Sequence, residues 1–167
     1  MCNSLKILIL SDSHGVLEFM HRCVETVRPD AVIHLGDMVR DADEMAREYP
    51  GIRFFQVAGN CDSGRVPMDY PEVRVEDFLG NRVYMTHGHL HGVKIFLSKL
   101  LADGRQCGAD IILYGHTHRA DCRMDDGCLV MNPGAAGYGG SAGVIEIRGK
   151  GDFTGRIIRQ WDWEDLA

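Results

Sequence analysis

Short apolar runs that end in polar turns alternate, through the first third of the chain, with apolar stripes at helical spacing. "KILILSD" (residues 6–12) is rich in branched side chains and stops at a polar turn, the pattern of a strand buried on both faces. Residues 16–27 place apolar side chains at 16, 17, 19, 20, 23, 24 and 27, a single helical stripe that Pro29 stops. "AVIHLGD" (31–37) repeats the strand pattern, and "DADEMAREY" (41–49) predicts a more polar helix closed by Pro50 and Gly51. "IRFFQVAGNCD" (52–62) predicts a third strand. Strands and helices alternating at this spacing imply a parallel sheet with right-handed crossovers.

The pattern then loosens. "EVRVEDF" (72–78) alternates like an exposed strand, and Gly80-Asn81 predicts a turn into "RVYMTHGH" (82–89). Residues 93–104 predict a helix with apolar positions 93, 95, 96, 97, 100 and 101, ended by a glycine, and "DIILYGHTH" (110–118) predicts another buried strand. Beyond Arg119, "ADCRM" and "CLVM" flank "DDG" as a hairpin. "NPGAAGYGGSAG" (132–143) reads as a mobile connector near the site, and "VIEIRGKGDFTGRIIRQW" (144–161) as a last hairpin. The two tryptophans of "WDWEDLA", Trp161 and Trp163, suggest a strand packed on the body or a subunit contact. The expected fold class is α/β, a single domain over residues 1–167, with an antiparallel second half forming a second sheet against the first and helices outside each.

Composition changes this picture in three ways. With 45% hydrophobic and 25% charged residues the chain is ordinary globular material, and no apolar stretch approaches the roughly 18 residues of a membrane span. A cytoplasmic location is therefore expected, with no membrane partner. The six cysteines form no C-x-x-C pair, so neither a zinc knuckle nor a redox dithiol is indicated. Cys122 and Cys128 flank a hairpin turn and could face each other, but in a reducing compartment they are expected to remain thiols. The formal net charge of −6 argues against a broad nucleic-acid-binding surface, which needs many lysine and arginine contacts. Chemistry on a phosphate here needs another source of positive charge, and metal ions are the obvious one.

Each apolar strand ends in groups that bind metals: Asp12 and His14 in "SDSHG", Asp37 in "HLGDM", Asn60 in "AGNCD", His87 in "THGHLHG", and His116 with His118 in "YGHTHR". The carboxyl edge of strands is where ligands bind in α/β sheets. On extended chain, residues i and i+2 point the same way, which would aim both members of D-x-H and H-x-H at one site. Glycines beside Asp37, Asn60, His87 and His116 permit tight backbone there. An oxygen and nitrogen set without thiolate suits manganese, iron, nickel, cobalt or zinc, with manganese the expected metal. Seven ligands suit two ions, with Asp37 of the central strand as the shared carboxylate. Two divalent ions against two aspartates would leave a positive site that attracts a phosphate.

"SDSHG", "GD", "GNCD", "HGH" and "GHTH", in this order, resemble the calcineurin-like metallophosphoesterase superfamily. "GNCD", the small size and the later "MNPGA" resemble its YfcE-like phosphodiesterase branch. The resemblance implies a four-layer α/β/β/α sandwich. It also implies that Asp12, His14 and His118 hold one ion and Asn60, His87 and His116 the other, with Asp37 bridging. Relatives in that branch form dimers or tetramers, so a homo-oligomer is possible.

The expected reaction is metal-assisted hydrolysis of a small phosphodiester by in-line attack of a hydroxide held between the ions. One departure matters: many superfamily members carry histidine after the asparagine as the acid toward the leaving oxygen, and this chain has Cys61. A thiol is a poor substitute, so activity is expected to favour good leaving groups, or another acid takes over, with His89 the first candidate and Asp62 the second. His34 is a candidate support for a ligand carboxylate, His21 reads as a surface residue, and His91 as a loop residue or part of the entrance. Arg65 and Arg119 follow ligand strands and are candidate substrate contacts. Two rival functions remain open: a metal-free protein-interaction scaffold of the same fold, like the retromer subunit that resembles this family, and a phosphomonoesterase.

Overall fold

The computed structural model describes residues 3–62 and 70–162. Among the described residues, ten strands and three α-helices follow in the order β1 (Leu5–Leu10), α1 (Glu18–Val27), β2 (Ala31–His34), α2 (Val39–Glu48), β3 (Arg53–Gln56), β4 (Val73–Phe78), β5 (Asn81–Thr86), α3 (Ser98–Gln106), β6 (Ile111–Leu113), β7 (Asp121–Asp125), β8 (Cys128–Asn132), β9 (Ser141–Gly149) and β10 (Asp152–Arg159). One short 3-10 turn, His89–His91, stands between β5 and α3.

The strands form two five-stranded sheets, in the orders β10-β9-β1-β2-β3 and β4-β5-β6-β8-β7. β1 sits centrally in the first sheet, parallel to β2 and antiparallel to β9. Its period-two pattern explains the layering: Ile7 and Ile9 enter the core between the sheets, whereas Leu8 and Leu10 meet α1 and α2. Each such fully buried side chain contributes roughly 1.5–3 kcal/mol. Tyr84, Ile112 and Val130 face outward from the second sheet onto Leu100 of α3. Helix, sheet, sheet and helix thus make four layers, as expected.

The second sheet is not built from the antiparallel second half alone: the β7–β8 hairpin lies in it as expected, but the β9–β10 hairpin pairs with β1 in the first sheet. β5, β6 and β8 run parallel, and only β4 and β7 at the two edges are antiparallel to their neighbours. Parallel pairing lets the carboxyl ends of β5 and β6 meet those of β1 and β2 at one edge.

Several local expectations are corrected. The turn between β4 and β5 is centred on Leu79 and Gly80, both left-handed, while Asn81 is the first residue of β5. Asn81 is fully buried, its two amide hydrogens shared among Phe78 O, Leu79 O and Gly149 O and its Oδ1 accepting from Gly151 N–H, so one amide ties the β4–β5 turn to the β9–β10 turn. Asn81→Ala is expected to cost about 2 kcal/mol, read as a lower melting temperature; an unchanged melt would refute the tie.

The helix expected over 93–104 begins only at Ser98 and runs through Gly104. Left-handed Gly92 starts a tight turn in which Ile95 N–H and Phe96 N–H both reach Gly92 O, and this leaves Ile95 and Phe96 exposed. Gly104 does not stop the helix: a Cβ there would lie 2.6 Å from Ile112 Cδ1, so glycine lets α3 approach β6. Cys122 lies opposite Met131 and Cys128 opposite Asp125, which puts the two thiols on opposite faces of the sheet, and both are free. The glycine-rich segment is no loose connector. Its residues 132–136 are buried, Ala136 N–H and Gly137 N–H bond Ser11 O and Asp12 O, and Ser141 onward is strand. Trp161 is exposed in a turn after β10, while Trp163 and Arg65 lie outside the described residues. No helix among the described residues is long and apolar enough to cross a membrane.

Candidate metal centre

Six of the seven side chains expected as ligands meet where the two sheets present their carboxyl ends. Asp12 Oδ1 lies 3.0 Å from His118 Nε2, 3.8 Å from His14 Nε2 and 3.9 Å from His87 Nε2. Asp37 stands between two histidines, with Oδ2 3.7 Å from His14 Nε2 and Oδ1 3.5 Å from His87 Nε2. His116 Nδ1 is 3.2 Å from His87 Nε2. The groups Asp12, His14 and His118, and Asp12, Asp37 and His87, each bring their ligand atoms within 4.8 Å of one another. The seventh, Asn60, is exposed in the turn after β3, its amide donating to Cys61 Sγ at 3.6 Å. Cys61 N–H in turn bonds Asp37 Oδ1 at 3.0 Å.

The convergence does not arise from extended chain. Asp12, His14, His116 and His118 all lie beyond the last strand residue and all have positive φ, as do Asp37 and Met38. Of nine described non-glycine residues with positive φ, these six surround the site. A side-chain-bearing residue costs roughly 1 kcal/mol or more in this conformation, and such strain collects at functional sites. Consecutive left-handed turns, rather than the pleat of a strand, aim each pair inward.

Glycines make the close approach possible. A Cβ on Gly59 would fall 2.2 Å from Asp37 Oδ1, and one on Gly115 would fall 2.2 Å from Ser11 Oγ.

The surroundings fit a cation. Asp12 and Asp37 are buried, and among the described residues their ion-pair partners are histidines alone. A buried carboxylate without countercharge is costly, so this donor set suits divalent metal. His87 Nδ1 donates to Leu35 O at 2.7 Å, which turns the lone pair of Nε2 toward Asp37 and His116, the arrangement that orients a metal-binding imidazole. Burial opposes charge on both Asp37 and His87, but their proximity wins: the carboxyl is held well below its usual range and the imidazole is raised.

A supporting shell surrounds these groups, and the sequence flagged only part of it. Ser11 Oγ donates to Asp12 Oδ2 at 2.5 Å. His34 is fully buried; it accepts from Gly36 N–H through Nδ1, so its Nε2–H donates to Ser13 Oγ at 3.0 Å. It supports the site loops without touching the ligand carboxylates, and burial keeps its pKa low. Asp41 in α2 accepts from Gly15 N–H, and Asn132 donates to Gly115 O and Thr117 Oγ1, bracing the loops that carry His14 and His116. A serine after β1, an aspartate in α2 and an asparagine ending β8 gave no signal for these roles beyond the "NPG" motif.

Asp62 has a different role from the acid considered above. Its two oxygens accept from Asp37, Met38, Val39 and Gly59 N–H groups at 2.9, 2.8, 3.1 and 2.7 Å, leaving the carboxylate committed to shaping the turn and capping α2. His89 lies beside the cluster, its ring 5.5 Å from that of His87 and its Nε2 3.8 Å from Glu72 Oε1. Burial and the neighbouring His87 lower its pKa, and its buried Nδ1 has no hydrogen-bond partner among the described residues. Desolvation and the Asp37 charge raise the pKa of the Cys61 thiol. His91, expected in solvent or at the entrance, is instead buried against Tyr84 Oη at 2.9 Å, and His21 is half-buried, bonded to Tyr49. Arg119 is exposed just after His118.

Two mixed sheets between helices, with histidines and aspartates gathered at their carboxyl edge, define a metal-dependent phosphoesterase architecture. The comparisons agree: residues 5–148 match the model of the calcineurin-like phosphoesterase superfamily domain, and the chain belongs to that superfamily. It is 32% identical over 134 residues to a probable metallophosphoesterase of Bacillus subtilis, covering 78% of this chain and 75% of the relative. It is 29% identical over 154 residues to a phosphodiesterase of Methanocaldococcus jannaschii, covering 80% and 86%. The crystal structure of a Streptococcus pneumoniae protein described as a predicted phosphoesterase superposes with a TM-score of 0.73 at 26% identity, covering 95% of this chain and 91% of that one.

Proposed function

We propose that the protein is a dinuclear metal-dependent phosphodiesterase acting on small diesters with good leaving groups. The observation that carries this reading is the pair of buried carboxylates, Asp12 and Asp37, countered only by imidazoles among the described residues. Asp12, His14 and His118 would hold one divalent ion, His87, His116 and Asn60 the other, and Asp37, with His14 on one oxygen and His87 on the other, would be shared. When bound, such ions supply a nucleophile at neutral pH and offset the charge that builds on the phosphate.

The chain's own groups set the limits of the reaction. Leu35 O fixes the ring of His87, and Asp62 fixes the turn that presents Asp37. Cys61 replaces the expected leaving-group acid with a thiol, and losing that assistance typically costs about 100-fold to 10,000-fold. His89, its ring 5.5 Å from that of His87, would be the group to give a proton instead, and its lowered pKa limits that help. Aryl diesters, whose leaving groups need little protonation, are therefore the preferred test substrates, and the phosphodiesterase relative supports the choice of diester over monoester.

With manganese added, the purified protein is expected to hydrolyse bis(p-nitrophenyl) phosphate faster than p-nitrophenyl phosphate. A faster monoester would point to a phosphomonoesterase. Failure to retain metal, together with no turnover of either ester, would favour a scaffold.

A further inference from the structure

Beside the candidate centre lies a surface cavity of ≈ 480 Å³, within the range of about 300–1,000 Å³ usual for small-ligand sites. Val93, Leu97 and Tyr114 form an apolar wall, and Lys94 and Arg119 reach the same space. Among the described residues neither cation pairs with a carboxylate. The acidic residue in the lining, Asp121, has its own partner in Arg123 at 3.6 Å.

Thr117 joins this cavity to the candidate centre, because it lines the wall and stands between His116 and His118. Its Oγ1 accepts from Arg119 N–H at 3.1 Å and from Asn132 Nδ2 at 2.9 Å. With both acceptor positions filled, the hydroxyl hydrogen is left to donate. An apolar wall, two cations and a hydroxyl donor next to the reacting centre describe a receptor for a flat apolar group that ends in an anion.

We propose that this cavity is the specificity site of the phosphodiesterase reading, taking the retained arm of a diester whose planar group carries a second anion, carboxylate or phosphate. The proposal rests on that reading for its reaction, while the cavity itself stands on its own lining. The planar group lies along Val93, Leu97 and Tyr114, and the second anion meets Lys94, Arg119 and the Thr117 hydroxyl.

The test compares two diesters with the same leaving group, 4-nitrophenyl phenyl phosphate and 4-nitrophenyl 4-carboxyphenyl phosphate, in the presence of manganese. The carboxylate is expected to lower KM about tenfold, as two solvent-facing charge contacts would, and the advantage should shrink at high salt. In the Lys94→Ala/Arg119→Ala double variant the two KM values should converge. Equal KM values in the unaltered protein, or a preference that survives in the double variant, would overturn the assignment. If neither diester is hydrolysed, the phosphodiesterase reading fails, and calorimetry with 4-carboxyphenyl phosphate and phenyl phosphate still decides the cavity. Tighter binding of the carboxylate compound that disappears in the double variant supports it, and equal binding rejects it.

Discussion

Replacing Asp37 by asparagine is expected to reduce manganese-dependent hydrolysis of bis(p-nitrophenyl) phosphate by at least about 1,000-fold, equivalent to about 4 kcal/mol of lost transition-state stabilisation. The carboxylate is the group that faces His14 through one oxygen and His87 through the other, so both halves of the proposed centre lose their common charge. Asparagine is nearly the same shape, and its oxygen can still accept from Cys61 N–H, so the turn keeps its hydrogen bond. Loss of activity with an unchanged melt in metal-free buffer, and loss of bound manganese by elemental analysis, would therefore report on charge rather than on folding. Undiminished turnover in this variant would remove the centre proposed here.

The second large effect is on stability. Asp62→Ala strips the acceptors from four backbone N–H groups, those of Asp37, Met38, Val39 and Gly59, at a position that is 7% exposed. Burying donors without partners is more expensive than the net value of the bonds they lose. Urea unfolding is expected to show a loss on the order of 3–5 kcal/mol, with activity falling because the Asp37 turn loses its brace. Asparagine should not rescue it, since its NH2 would confront N–H donors. A loss under about 1 kcal/mol for the alanine variant would show that water or a local shift replaces the carboxylate.

What the sequence made legible follows from where its information is local. β1, β2 and β3 announce themselves because each is a short apolar run closed by polar residues, and the candidate ligands stand directly after those runs. Such a pattern survives translation into three dimensions with only the ends adjusted. The left-handed turns at Asp12, His14, Asp37, His116 and His118 were invisible, because aspartate and histidine carry no requirement for positive φ; the neighbouring loops impose it. Asp62 was misread for a related reason: a carboxylate next to "GNC" looks like chemistry until the backbone donors around it are seen. The helix after His91 was drawn too long because Val93, Ile95, Phe96 and Leu97 continue its apolar stripe, whereas Gly92 turns the chain and leaves Ile95 and Phe96 outside. Parallel pairing of β8 with β6 depends on contacts between distant segments, and hairpin signals alone favoured the opposite direction.

The bond between His118 Nε2 and Asp12 Oδ1 spans 106 residues of chain. During synthesis, a fragment that stops before residue 118 holds the early aspartate and lacks its imidazole partner. The proposed ion site of that pair would therefore form only after residue 118 is made, and loop closure over such a distance makes this contact a slow one to form. The proposed centre is thus completed only when the second sheet has been made, although His14, Asp37 and Cys61, all within the first 61 residues, already bring potential ligand atoms together.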